Sequence, residues 1–151
     1  MNQAVTYDTD YLCWLDHQAS LLRAGAIDRL DRSHLAEELE SMSRSERRQL
    51  RNRLIVLVMH LLKLQYQPQR RSRSWVVTVI TQRIDIKLLL RESPSLKPSL
   101  AGVLADIYSR ARQEAAEETQ LPIDTFPEDC PFTLVQVFDE DFWPGDANES
   151  E

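Results

Sequence analysis

Glycine is nearly missing from this chain: three occur in 151 residues, at positions 25, 102 and 145. Hairpin-rich folds need glycine at their turns, so this scarcity argues against sheets and for long helices. Cysteine is scarcer still. Cys13 and Cys130 have no motif spacing. They are expected to be reduced, buried small residues in a reducing compartment. Long apolar runs are also lacking. The longest, Leu54 to Leu64, has eleven residues and contains His60 and Lys63, against about twenty needed to cross a bilayer. The opening MNQAVTYDTD has neither the basic start nor the apolar core of a secretion signal. The expectation is a cytoplasmic protein with no membrane attachment. No Gly-rich phosphate loop, GxSxG elbow or CxxC pair is present, so nothing points to a catalytic class or a cofactor.

What the chain does have is sorted charge. It carries a net −6. Between Arg44 and Arg73 there are nine Arg or Lys and one acid, Glu46, so that segment is +8 and the remainder −14. Segregation of this kind predicts a positive surface that must meet something negative. The candidates are the chain's own acids, a second copy or a phosphate-bearing ligand.

The length fits one domain with a good core. Asp8 or Thr9 caps a first helix ending at Gly25, with Tyr11, Leu12, Leu15, Ala19 and Leu22 inward. A second helix starts at Ser33 with Leu35, Leu39 and Met42 inward. Around SMSRSE the helix either continues or breaks; Ser43 and Glu46 read as a capping box, which favours a fresh start near Arg44. Leu50, Leu54, Leu57, Leu61 and Leu64 then repeat at four, three, four and three, a seam of the a/d kind closed by Pro68. Ser72 or Ser74 caps the next helix, whose face is Trp75, Val76, Val79, Ile80, Ile84, Leu88 and Leu89. Ser95 starts a last long helix, with Leu100, Val103, Leu104, Ile107, Tyr108 and Ala111 inward, ending near Thr119. Pro122, Pro127 and Pro131 then forbid a long element. Thr133 and Gln136 suggest one short capped turn, and Phe126, Phe132, Val137, Phe138, Phe142 and Trp143 predict an apolar strap. The fold class is therefore all-α, a compact bundle of four to five main helices with a proline-rich, partly irregular C-terminal strap. Residues 1–144 are read as one domain and 145–151 as a disordered acidic tail.

Several stretches resemble a known family. HLLKLQYQPQRRSRSW, EELESMSRSERR, RESPSLKPSL, the opening YDTDYLCWLDHQASLLRAG and the closing AEETQLPIDTFPEDCPFTLVQVFDEDFWP are similar to the bacterial family of domain of unknown function number 29. The likeness runs from Tyr7 to Pro144. It implies a small helical protein, common in cyanobacteria and some proteobacteria, with no settled activity, cofactor or functional residues. Relatives often carry glycine where this chain has Met42 and Ser43.

Three constellations are candidates for function. The first is Arg70, Arg71 and Arg73 with Ser72, Ser74 and Trp75. Guanidinium forks beside the free N–H groups of a helix start suit an anion or an acidic partner. The plainer reading neutralises them with Glu114, Glu117, Glu118 or the acids of DEDFW. The second is Arg53 with His60, seven apart on one helix face, which resembles the sparse ribonuclease motif of HEPN domains. A core histidine bonded within its own helix is the plainer reading. The third is His34 with Glu37 and Glu38, a metal-ligand spacing that needs a second helix, His17 or Asp16 to complete it; a solvated acidic face is the plainer reading. Trp14, Trp75 and Trp143 suit a core better than a ligand box. Together these predict a non-enzymatic interaction or regulatory protein with a protein partner or self-association. A nucleic-acid-linked role at Arg53 and His60 is the alternative, and a helical metal enzyme a weaker one.

Overall fold

The computed structural model describes residues 5–145, so the predicted tail at 145–151, Gly145 apart, lies outside the described residues. Among those described, all regular structure is helical: α1 (Tyr11–Arg23), α2 (Arg32–Tyr66), α3 (Arg73–Glu92), α4 (Leu100–Thr119) and the short α5 (Leu134–Phe138), with single 3-10 turns between them. The all-α class follows as expected. No helix among the described residues is long and apolar enough to cross a membrane. The chain divides into two units, the first ending at Glu46 and the second beginning at Arg47, with α2 running unbroken through the boundary.

Of the two readings at Ser43, the helix continues, against the favoured break. Strong helix formers flank Ser43 and no proline or glycine lies between residues 32 and 66, so the Ser–Glu spacing is absorbed into a 35-residue helix.

In the first unit, Asp10 rather than Asp8 or Thr9 caps α1, accepting from the Cys13 N–H at 3.0 Å. Gly25 follows the helix at φ +71, as its position predicted. The buried face is Trp14, Gln18 and Leu21; the expected Tyr11, Leu12 and Leu22 are exposed. Polar anchoring moved the register. Gln18 accepts from the Asp31 N–H at 2.8 Å, and the Trp14 indole donates to Asp31 at 3.0 Å. Leu39 and Met42 of α2 are likewise exposed, and so is Cys13, contrary to expectation.

The second unit has the main core. Leu50, Leu54, Leu57, Leu61 and Leu64 are all buried, so the leucine seam holds over its full length. They pack with Val79, Ile86 and Leu89 of α3 and Leu104, Ile107, Tyr108, Ala111 and Ala115 of α4. Burial of each leucine, isoleucine or valine among them is worth about 1.5–3 kcal/mol. Ser72, not Ser74, caps α3, accepting from the Trp75 N–H at 3.2 Å. Its buried register is Val79, Arg83, Ile86, Leu89 and Leu90, whereas Ile80, Ile84 and Leu88 face out. α4 begins at Leu100, after a 3-10 turn over Pro94–Ser99. Ser95 does not start it: Pro94–Ser99 wind as a 3-10 turn and Ser99 precedes the first α-helical residue.

Residues 120–145 cross this core with only short helices. The capping box of Thr133 and Gln136 is present as predicted. Phe126, Phe132 and Val137 are buried, while Phe138, Phe142 and Trp143 pack against the core half-buried. Two side chains of α4 hold the backbone of the segment. The Arg112 Nε donates to the Phe126 carbonyl at 3.1 Å and the Tyr108 hydroxyl donates to that of Pro127. Gly145 adopts φ +79 where an added Cβ would lie 2.1 Å from the Leu64 carbonyl oxygen, so only glycine fits there.

Candidate functional site

The first test of the +8 segment is where its charges go. Among the described residues, carboxylates meet Arg44 (Glu40, 4.0 Å), Arg51 (Asp106, 3.8 Å), Arg53 (Asp85, 2.9 Å) and Lys63 (Glu118, 2.7 Å). The rest do not share one surface. Arg48 and the end of α2 at Tyr66 are eighteen residues apart on one helix, about 27 Å at 1.5 Å per residue. The single positive face expected from composition is therefore two separate groups, and the second is the one at the start of α3.

There the chain leaves α2, makes a 3-10 turn over Pro68–Arg70 and enters α3 at Arg73. Arg70, Arg71 and Arg73 are all exposed. Three of the acids expected to neutralise the cluster pair with other cations. Glu118 holds Lys63, Glu114 holds Arg110 at 2.8 Å, and Glu140 holds Lys87 at 3.1 Å. Arg70 and Arg73 enter no ion pair among the described residues. Arg71 lies over the Trp143 ring at 5.7 Å. Trp75 packs against the core, and the Lys63 ammonium sits 4.5 Å from its ring centre. Ser72 is spent as the cap, and Ser74 is exposed with its carbonyl bonded to Thr78.

Trp143 links this group to a feature that sequence reasoning missed. The other guanidinium over its ring is that of Arg83, at 5.3 Å. Arg83 is 2% exposed. Its Nε donates to the Val137 carbonyl at 2.8 Å, and one terminal nitrogen donates to the carbonyls of Gln136 (3.2 Å) and Phe142 (3.0 Å). The other terminal nitrogen is buried with no hydrogen-bond partner. Burial pushes the Arg83 pKa down, while Asp139 and Glu140 oppose the shift. The signal was an arginine in the apolar register, four residues after Val79 and three before Ile86. Beside it a recess of about 380 Å³ is walled by Ile80, Ile84 and Trp143, with Glu140 and Asp141 also lining it.

Arg53 and His60 are engaged separately. Arg53 reaches α3, where it donates to Asp85 at 2.9 Å and Gln82 at 3.4 Å. The His60 Nδ1 lies 2.8 Å from the Val56 carbonyl one turn back, so that nitrogen carries the proton. Burial holds His60 below its ordinary pKa, so at neutral pH it is uncharged. Its exposed chemistry is confined to Nε2.

His34 and Glu38 are also occupied, while Glu37 is exposed. The His34 Nδ1 pairs with Asp31 at 2.7 Å, and its ring stacks on Tyr7 at 4.3 Å. Glu38 accepts from the hydroxyls of both Tyr7 and Tyr11. Among the described residues no group of three or more His, Cys, Asp or Glu is placed to hold a metal. The would-be ligands instead tie α1 and the residues before it to α2. The Asp31 hydrogen bond raises the pKa of His34 above 6.5, and the same bond lowers Asp31 below 3.8. For the histidine, a raised folded pKa means stabilisation that is full below pH 6.5 and lost as pH rises through the folded value. For the aspartate, a lowered one means stabilisation present above pH 3.8 and lost as pH falls through the folded value. The pair therefore contributes most between those limits. An NMR titration should place the His34 midpoint above that of a free histidine, and Asp31→Asn should abolish the shift. A midpoint at or below 6.5 would contradict the pairing.

The sequence model of the family described as domain of unknown function DUF29 matches residues 6–143. No curated protein and no solved structure gives a significant match.

Proposed function

We propose, from the premise that the chain belongs to the DUF29 family, that it is a non-catalytic interaction module. It presents Arg70, Arg71 and Arg73, at the capped start of α3, to an acidic segment of a protein partner. The observation that supports this reading is the absence of intramolecular carboxylates on Arg70 and Arg73 among the described residues, while Glu114, Glu118 and Glu140 are committed to other cations. The exposed guanidinium groups of Arg70 and Arg73, without ion pairs among the described residues, bind carboxylate without first breaking one. Free thiols at Cys13 and Cys130 suit a cytoplasmic setting. The ribonuclease-like alternative at Arg53 and His60 has less behind it, since Arg53 already holds Asp85 and His60 spends Nδ1 on its own helix. A metal enzyme at His34, Glu37 and Glu38 has less still, because His34 and Glu38 are bonded to Asp31, Tyr7 and Tyr11.

The test is fluorescence anisotropy with a labelled Glu/Asp-rich peptide. Binding should weaken by about tenfold between low and moderate salt. Charge reversal at Arg70 and Arg73 together should cost another factor of about ten. Affinity unchanged by R70E/R73E would remove the proposal. Tighter binding of a single-stranded RNA of equal length, lost in the same variant, would transfer the cluster to nucleic acid.

A further inference from the structure

The buried guanidinium of Arg83 leaves one hydrogen-bonding group unused. Its Nε and one terminal nitrogen donate to the carbonyls of Gln136, Val137 and Phe142, while the other terminal nitrogen is buried with no partner. A buried donor left unpaired has lost its bonds to water and gained none. Such groups are uncommon in folded chains, and they mark places where an acceptor belongs. Arg83 also lines the recess of about 380 Å³ between α3 and the C-terminal segment. That volume falls within the range of small-molecule sites, which begins at about 300 Å³. Ile80 and Ile84 of α3 form one wall and the indole of Trp143 another, while Glu140 and Asp141 supply carboxylates.

These groups restrict what can enter. A neutral hydrocarbon would match the two isoleucines and the indole but leave the Arg83 nitrogen unpaired. A simple anion would satisfy that nitrogen and then face Glu140 and Asp141, and a simple cation would face Arg83 itself. Glu140 is held by Lys87 at 3.1 Å. Asp141 is exposed and enters no ion pair among the described residues, so its carboxylate is the one left for a ligand. We infer that the recess binds a small zwitterion, an amino acid with an apolar side chain. Its carboxylate accepts from the unpaired Arg83 nitrogen, its ammonium faces Asp141, and its side chain lies between Ile80, Ile84 and Trp143. A charge-assisted bond at each end fixes the orientation, and the apolar walls favour one class of side chain. The Trp143 ring walls the recess and lies 5.3 Å from the guanidinium. It is the side chain that shifts as the carboxylate reaches the buried nitrogen. The inference does not rest on the acidic-partner reading, because neither Arg70 nor Arg73 lines the recess.

The probes are L-leucine and L-phenylalanine, each titrated into the full chain to about 10 mM and followed by NMR. The indole N–H signal of Trp143 should move and saturate, with a dissociation constant between about 10 μM and 1 mM. Arg83→Met loosens the segment it holds, so the role of Arg83 is tested by changing the ligand instead. L-Phenylalanine amide has no carboxylate and N-acetyl-L-phenylalanine has no ammonium; each should bind about tenfold more weakly or worse. Asp141→Asn should weaken L-phenylalanine by about tenfold without weakening the N-acetyl compound. Ile84→Trp fills the recess from a position that is 56% exposed, so binding should be lost with the circular dichroism unchanged. No saturable shift with either amino acid overturns the inference. So does an amide bound as tightly as its amino acid, or binding indifferent to Ile84→Trp.

Discussion

Replacing Arg83 by methionine is expected to lower the unfolding free energy of the second unit by about 3 kcal/mol. Methionine keeps most of the stem's volume, so the loss isolates the guanidinium. Three carbonyls, of Gln136, Val137 and Phe142, then lose their donor. Two of them belong to the end of α5, where the helix leaves carbonyls unpaired and its dipole favours a cation. Working against this is the desolvation of a nearly buried charge, one of whose nitrogens has no partner. Removing that nitrogen returns part of the loss, which is why the expected cost is nearer 3 than 5 kcal/mol. Arg83→Lys should sit between the two, since one ammonium cannot reach three carbonyls fixed by a planar fork. Urea unfolding measures the cost. Trp143 fluorescence shifting to the red before the main transition would locate it, because Trp143 lies against the same guanidinium. A loss below 1 kcal/mol would mean that Arg83 does not hold the segment.

Arg83 also shows where the sequence could be read and where it could not. The leucines from Leu50 to Leu64 were legible because a run of apolar residues at four and three has one economical solution, burial along one helix face. The Thr133–Gln136 turn was legible because its two bonds are local. α3 was misjudged because it is apolar on more than one face, so periodicity gave its existence without saying which face turns inward. Its inner face includes an arginine, and apolar patterning assigns arginine to solvent. What makes that position tolerable is a set of carbonyls more than fifty residues away, with no local trace in the sequence. The same holds for α1, where Gln18 and Trp14 were drawn inward by Asp31. At the candidate site the arginines themselves were plain to see. Whether acids in the chain neutralised them was not, because Glu118 and Glu140 chose other cations through tertiary distance alone.

Lys63 tests the opposite sign. It is 6% exposed, its ammonium 2.7 Å from Glu118 and 4.5 Å from the Trp75 ring. By composition it is one charge of the basic segment; by position it is a core residue joining α2, α3 and α4. Glu118→Ala should cost about 2 kcal/mol, because it strands a buried ammonium with only an aromatic face for company. The half-exposed site of Glu118 lets some water in and keeps the figure below that of a fully buried pair. Lys63→Met should be close to neutral, within about 1 kcal/mol, since it removes the desolvated charge and leaves Glu118 able to face solvent. Removing the lysine should therefore harm the fold less than removing its partner. In the double variant Glu118→Ala should add almost nothing to Lys63→Met, giving a coupling of about 2 kcal/mol in the cycle. If Lys63→Met proves the costlier change, the ion pair stabilises the fold outright, and the positive charge here is structural in its own right.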